Sequence, residues 1–475
     1  MTKSENTTIM NSMLRKLLPI VLLASLSLTA WSQTATPMSL EDAIQYALNQ
    51  NNTVKDARIN VADAEQQIVE RRSTGLPQLT GNLNFQRYLK LPVQPLPANF
   101  QVFGAAFTDL APFLSEETLA LLNQGGGEGN SDGVSFFLKN NFNASLNLDA
   151  MIFDGSYFVG LQAARAYRAY VSQDLLTKER EVKNATIDAY LPVLVLQENI
   201  GLIDKNLTNL KRLLFETQEL YKAGFAEQLD VDRLQLSLVN LETQKENLQR
   251  QKSLALNGLK FAMQYPLEEP LEVSGDLNEI ISSNTSDIIA ENLVTSNRPE
   301  IGLLEQGIKL NELNVRLQKS GYLPTLRAFA VAQESFQGNS FSDGFWAPTV
   351  YVGASLSIPI FDGLYKKATV QRAKLDVEQA RLQKDNLQRG INLELTNART
   401  SYQNASEVVA SQQRNMELAQ RIYETTQIKY KEGVGSSLEV SQAEQSLYNT
   451  QSNYIQAQFD LVRAIMDVKK ALGKI

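Results

Sequence analysis

The chain has 475 residues, enough for two or three ordinary domains, yet it contains neither histidine nor cysteine. That removes the side chains that most often serve as general base, nucleophile or transition-metal ligand, and with them disulfides and a lipid-bearing cysteine. A net charge of −7 argues against a nucleic-acid surface, which would carry a basic face. No glycine-rich phosphate loop and no grouping of serine, base and acid stands in the sequence, so neither an enzyme nor a cofactor is expected.

In chain order, Arg15 and Lys16 precede an apolar run over 17–30, and "AWSQ" permits cleavage after Ser32. This is the order of an export signal, and the run is shorter than the ~20 residues of a spanning helix. A signal peptide is therefore expected over 1–32. The mature chain then reads as two repeats, 33–265 and 298–475, joined by a linker over 266–297 whose stretch "VSGDLNEIISSNTSD" is rich in Ser, Asn and Asp.

Each repeat runs helix, Leu-Pro, strand, loop, strand, Phe-Asp-Gly, long helix, Tyr-Lys-x-Gly, long helix. The markers are "GLPQL" and "YLPTL" after the first helices, "IFDG" at 152–155 and again at 360–363, and the turns "LYKAGFAEQLDV" and "KYKEGVGSSLEV". Both turns place an acid six residues after the glycine: Asp230 after Gly224, Glu439 after Gly433.

The strands alternate. Phe142, Ala144, Leu146, Leu148, Ala150 and Ile152 face one way, and Asn143, Ser145, Asn147 and Asp149 the other. Val350, Val352, Ala354, Leu356, Ile358 and Ile360 repeat the pattern against Tyr351, Gly353, Ser355 and Ser357. Runs of about 11 residues match a tilted strand crossing a bilayer. A soluble sandwich would alternate in the same way. The export signal and two strand pairs with unequal loops, one of about 40 residues and one of about 14, point instead to an outer-membrane barrel. Four strands cannot close a barrel, and open edges are not tolerated in lipid; a dimer is the minimum, and a trimer would supply twelve strands.

The long helices keep a seven-residue period. In the second repeat Leu395, Tyr402, Val409, Met416, Tyr423 and Tyr430 face Val440, Leu447, Tyr454, Leu461 and Val468, with a second seam of small residues at Ala443, Thr450, Ala457, Ala464 and Ala471. The first repeat matches with Val193, Ile200, Leu207, Leu214 and Tyr221, then Leu234, Leu241, Leu248, Ala255 and Ala262. A helix from 155 to 221 would be about 100 Å long, far more than a membrane is thick. Pro192 lies inside it, so a kink or a break is expected there.

Together, "SLEDAIQYALNQN", "AYLPVLVLQE" and "VSQAEQSLYNTQSNYIQAQFDLVRAIMDVKKALG", set in this duplicated frame, resemble the TolC-type outer-membrane efflux proteins over nearly the whole mature chain. The resemblance implies a mainly α fold with a transmembrane β part: a homotrimer whose twelve-stranded barrel in outer-membrane lipid continues as a long helical barrel through the periplasm. It implies a passive exit duct that docks with a periplasmic membrane-fusion adaptor and an inner-membrane pump. The two turns become periplasmic tips, with Tyr221, Gly224, Gly433 and Gly435 as adaptor-docking positions. Glu439 takes the first position of an acidic constriction, and Gln442 stands where the family has a second acid. Tyr430 and Asp230 match a link between neighbouring hairpins; its arginine position is Gly435 here, with Arg233 near enough to substitute. A structural or adhesive outer-membrane coiled-coil protein would share the signal and strands but would not need two hairpins with matched tips. A periplasmic adaptor would have one hairpin, flanked by small β domains.

Overall fold

The protein is described by a computed structural model covering residues 37–92, 138–284, 291 and 297–475. The expected signal peptide, nearly all of the long first loop and part of the linker lie outside the described residues. The elements follow in the order α1 (Leu40–Gln50), α2 (Asn52–Ser73), β1 (Gln78–Arg87), β2 (Asn140–Phe153), α3 (Gly155–Lys222), α4 (Gln228–Met263), α5 (Leu277–Asn284), α6 (Pro299–Ser320), β3 (Thr325–Gly338), β4 (Gly344–Ser357), α7 (Tyr365–Lys431) and α8 (Ser437–Leu472). Among the described residues no helix is long and apolar enough to cross a membrane. The chain divides into two compact units, one of Ala62–Ala169 with Gln306–Arg381, the other of Met1–Val61, Tyr170–Glu305 and Leu382–Ile475.

The first of these units holds one antiparallel sheet in the order β1-β2-β3-β4, so among the described residues β1 and β4 each have one unpaired edge. Registration carries the alternation across all four strands: Leu79, Leu148, Ala330 and Val352 stand in one row, and Gly81, Leu146, Ala332 and Val350 in another. This apolar face is open, with Leu83 78% and Val352 79% exposed. Near the loop end Phe85, Phe142, Phe336 and Trp346 form an aromatic row, the rings of Phe336 and Trp346 lying 5.1 Å apart. One acid, Glu334, interrupts the oily face, in the row with Leu83, Ala144 and Pro348.

Two details differ from the sequence expectation. β3 and β4 are longer than their alternation and continue to Gly338 and from Gly344, so the second loop is a tight one over 339–343. Backbone pairing continues where the face pattern has already stopped. At its other end β4 stops at Ser357, so Ile358 and Ile360 fall beyond it. The same unit repeats one tether: Arg168 pairs with Glu65 at 2.8 Å, and Arg381 with Glu312 at 2.7 Å, each fastening the helix before a strand pair to the long helix after it.

In the second unit Pro192 neither ends nor interrupts α3, which is helical from Gly155 to Lys222. The reason is tertiary. Leu191, Val193 and Leu194 are buried in a core shared with α1, α4 and α8, and that packing outweighs the lost hydrogen bond. Tyr190, beside it, donates to the Met38 carbonyl at 3.0 Å and to that of Ser274. The C-terminal carbonyls of α8 are also held: Arg298 donates to Lys470 and Ala471 at 3.1 Å and pairs with Glu394, while Arg180 grips Glu300.

Most of the heptad seam is buried, while Ile200, Leu248, Ala255, Ala262, Val409, Met416, Tyr430, Thr450 and Tyr454 are only half-buried. Leu234, Leu241, Leu395, Tyr402, Tyr423, Val440, Leu447, Leu461 and Val468 are buried, and so are the small residues Ala443, Ala457, Ala464 and Ala471. Tyr221, at the end of its seam, is exposed.

Candidate functional site at the hairpin tips

Both long helices that lead into a turn end in the same way. Gly224 N donates to Tyr221 O at 2.9 Å and Phe225 N to Leu220 O at 2.8 Å; Gly433 N donates to Tyr430 O at 3.1 Å and Val434 N to Lys429 O at 2.9 Å. This pair of bonds satisfies the last carbonyls only if the glycine is left-handed, and φ is +82° at Gly224 and +74° at Gly433. Gly435 is small for another reason. A Cβ there would lie 3.1 Å from Lys429 Cβ and from the Tyr430 nitrogen. Phe225 and Val434 project from the two turns, 82% and 76% exposed.

The six-residue spacing from glycine to acid has a local cause. Asp230 and Glu439 are each the third residue of the returning helix, where free N–H groups and the helix dipole favour a carboxylate. Asp230 Oδ2 accepts from Glu227 N at 3.1 Å; Ser436 Oγ caps α8 by accepting from Glu439 N at 3.2 Å.

Beyond this the two acids part. Asp230 Oδ1 accepts a hydrogen bond from Ser437 Oγ of the second hairpin, and Arg233 Nη1 donates to that same oxygen at 3.1 Å. Asp230 and Arg233 are thus joined through a serine that is itself buried. The sequence offered Arg233 as a neighbour of the link but did not single out Ser437, because a serine at the start of a helix ordinarily reads as a cap. Glu439 and Gln442, one turn apart on α8, are both exposed, and Glu439 makes no ion pair among the described residues.

Tyr430 lies elsewhere on the same joint. Burial pushes its hydroxyl up; the Thr217 hydroxyl of α3 beside it opposes that, and nearby Asp230 adds to it. Neither Tyr430 Oη nor Thr217 Oγ1 completes a well-formed hydrogen bond among the described residues. Further ties join the hairpins: Lys431 with Glu216 at 2.8 Å, Ser237 with Ser441 at 3.4 Å, and Asn206 with Gln451 at 2.9 Å. Between them Leu210, Leu213, Leu234, Leu238, Tyr423, Val440, Ala443 and Leu447 of all four helices form one core.

Glu444 sits within that joint and was missed in the sequence. Its signal was present: it lies four residues after Val440 and three before Leu447, on the buried face. In a helix crowded with Gln and Glu, a glutamate reads as solvated.

Comparison with known proteins bears on this arrangement. Residues 122–263 and 292–474 match a family described as outer membrane efflux protein. The outer membrane efflux protein BepC of Brucella suis biovar 1 is 21% identical over 467 residues, covering 96% of this chain and 89% of that protein. The alkaline protease secretion protein AprF of Pseudomonas aeruginosa is 23% identical over 332 residues, covering 68% of this chain and 67% of that one. In fold, the chain resembles the Campylobacter jejuni CmeC outer membrane channel with a TM-score of 0.65 at 17% identity, over 94% of this chain and 90% of that one.

Proposed function

This chain belongs to the outer membrane efflux protein family, and on that premise we propose that three copies assemble into the passive exit duct of a tripartite export system. Like its relatives it is a non-enzymatic outer-membrane protein whose helices extend into the periplasm. One observation carries the assembly: a sheet with an open apolar face and two unpaired edges on the same chain as two hairpins with matched tips. Lipid covers the face, neighbouring copies pair the edges, and twelve strands close. The aromatic row of Phe85, Phe142, Phe336 and Trp346 suits one membrane interface.

In this reading 33–265 and 298–475 are the two repeats, 266–297 joins them, and 1–32 is removed on export. Glu439 and Gln442 line the periplasmic constriction. Asp230, Arg233 and Tyr430 hold the first hairpin to the second there, and the turns at Tyr221, Gly224, Gly433 and Gly435 meet a periplasmic adaptor, which couples the duct to an inner-membrane pump. The Asn- and Ser-rich strand face passes many solutes, so selection of cargo falls to the pump.

The test is conductance of the purified protein in planar bilayers, together with recovery of adaptor and pump by crosslinking from native membranes. A conducting channel that brings down both partners is expected. A protein that inserts without conducting and crosslinks to neither would leave it a structural coiled coil.

A further inference from the structure

Glu444 is 2% exposed, in a stretch of α8 whose neighbours Ala443 and Leu447 belong to the core shared by all four helices. A carboxylate so placed is costly unless a cation pairs with it. Among the described residues Glu444 makes no ion pair; its hydrogen bond comes from the Tyr448 hydroxyl, one turn along, at 2.5 Å. The helices packed around it bring few charges. From α7 comes Tyr423, whose hydroxyl accepts from Gln427 at 2.7 Å. From α3 comes Arg212, exposed, whose charge acts on Tyr423. From α4 comes Arg233, nearer the tip and engaged with Ser437, and on α8 itself Glu439 is exposed. None of these neutralises a buried carboxylate.

The position matters as much as the burial. Ser441, one turn before Glu444, faces Ser237 of α4, and Ser437, two turns before, carries the tie to Asp230 and Arg233. The carboxyl therefore sits in the stretch of α8 that fastens one hairpin to the other. Burial pushes it up to about 7, the bond from Tyr448 offsetting only part of the effect, and Tyr448 and Tyr423 are themselves pushed upward by burial and by the charge of Glu444.

We propose that Glu444 is a proton-operated latch: neutral, it keeps α8 seated in the four-helix core; ionised, it draws water in or leaves, and the second hairpin loosens from the first. Because the folded carboxyl holds its proton more tightly than an unfolded one, the seating is complete in acid and is lost as pH rises through neutrality. That loosening widens the periplasmic end only if the hairpin tips form that end, and to this extent the proposal rests on the function proposed above.

A chain without cysteine accepts spin labels at Ala223→Cys and Glu432→Cys, exposed positions on the two turns. With a midpoint near 7, the ionised fraction rises from about a tenth at pH 6 to about nine tenths at pH 8. Pulsed electron resonance on the assembled protein is expected to show a separated population that grows several-fold over this interval. With Glu444→Gln, and likewise with Glu444→Met, the narrow acid distribution should persist at both pH values, while Glu444→Asp should keep the response. An equal response in the Gln and Met variants, or none in the unsubstituted protein, overturns the latch. Conductance of the same samples separates the two readings. Distances that respond while conductance stays flat support the latch and count against the tunnel-end assignment; flat distances count against the latch whatever the conductance does.

Discussion

Asp230 and Glu439 occupy equivalent places at the start of a returning helix, yet only Asp230 is engaged with the other hairpin. The expected consequences differ accordingly. If Glu439 lines the constriction as proposed, Glu439→Ala should reduce cation selectivity and weaken block by divalent ions in planar bilayers, because a ring of carboxylates would attract cations and disfavour anions. Unchanged selectivity and block would place the side chain away from the pore. Asp230→Ala and Ser437→Ala should instead raise resting conductance with selectivity kept, since each cuts the contact between Asp230, Ser437 and Arg233; if both variants stay as closed as the parent, that contact is not what holds the end shut. At this scale the sequence was legible where a residue type repeats at fixed spacing, as with Gly224, Gly433 and the two acids. It was opaque where a side chain acts through a partner far along the chain, as Ser437 does with residues of α4.

The elements were read most fully, because burial follows the helical period. A seven-residue repeat with a small second seam predicted that Ala457 would be enclosed, and it is 3% exposed. Ala457→Leu should therefore lower the thermal resistance of the assembled protein, overpacking costing about 1–3 kcal/mol per site and recurring in every copy; an unaltered melting point would mean that the site has room. The two turns should tolerate substitution as poorly. Gly433→Ala must hold a β-carbon at φ +74°, at a cost of about 1–2 kcal/mol, and amide exchange at the tip should quicken. Exchange as slow as in the parent would mean that the turn has another low-energy form. Pro192 shows the limit of such reading. Its local rule predicts a kink or a break; the helix does not break, because the flanking Leu191, Val193 and Leu194 belong to a core built from α1, α4 and α8 as well, and no window of sequence around the proline contains those partners.

For the whole molecule the governing feature is the sheet that does not close within one chain. Among the described residues β1 pairs only with β2, and β4 only with β3, so each outer edge presents a row of backbone N–H and C=O groups. Each such group left without a partner in hydrocarbon costs several kcal/mol. On the proposed function, a single copy is not expected to persist in a bilayer, and β1 of one copy pairs with β4 of another. Two copies would give eight strands, about the smallest bacterial barrel, whose interior side chains fill; three give twelve and leave a lumen. A duct needs the lumen, which favours three. Light scattering of the protein extracted in mild detergent should give a mass of three chains, and cysteines placed singly on β1 and on β4 should join different copies by disulfides when the two variants are mixed before assembly. A stable monomer would overturn the architecture itself, because the exposed rows of Leu79, Leu83, Val350 and Val352 would then belong to a sheet that water, not lipid, surrounds.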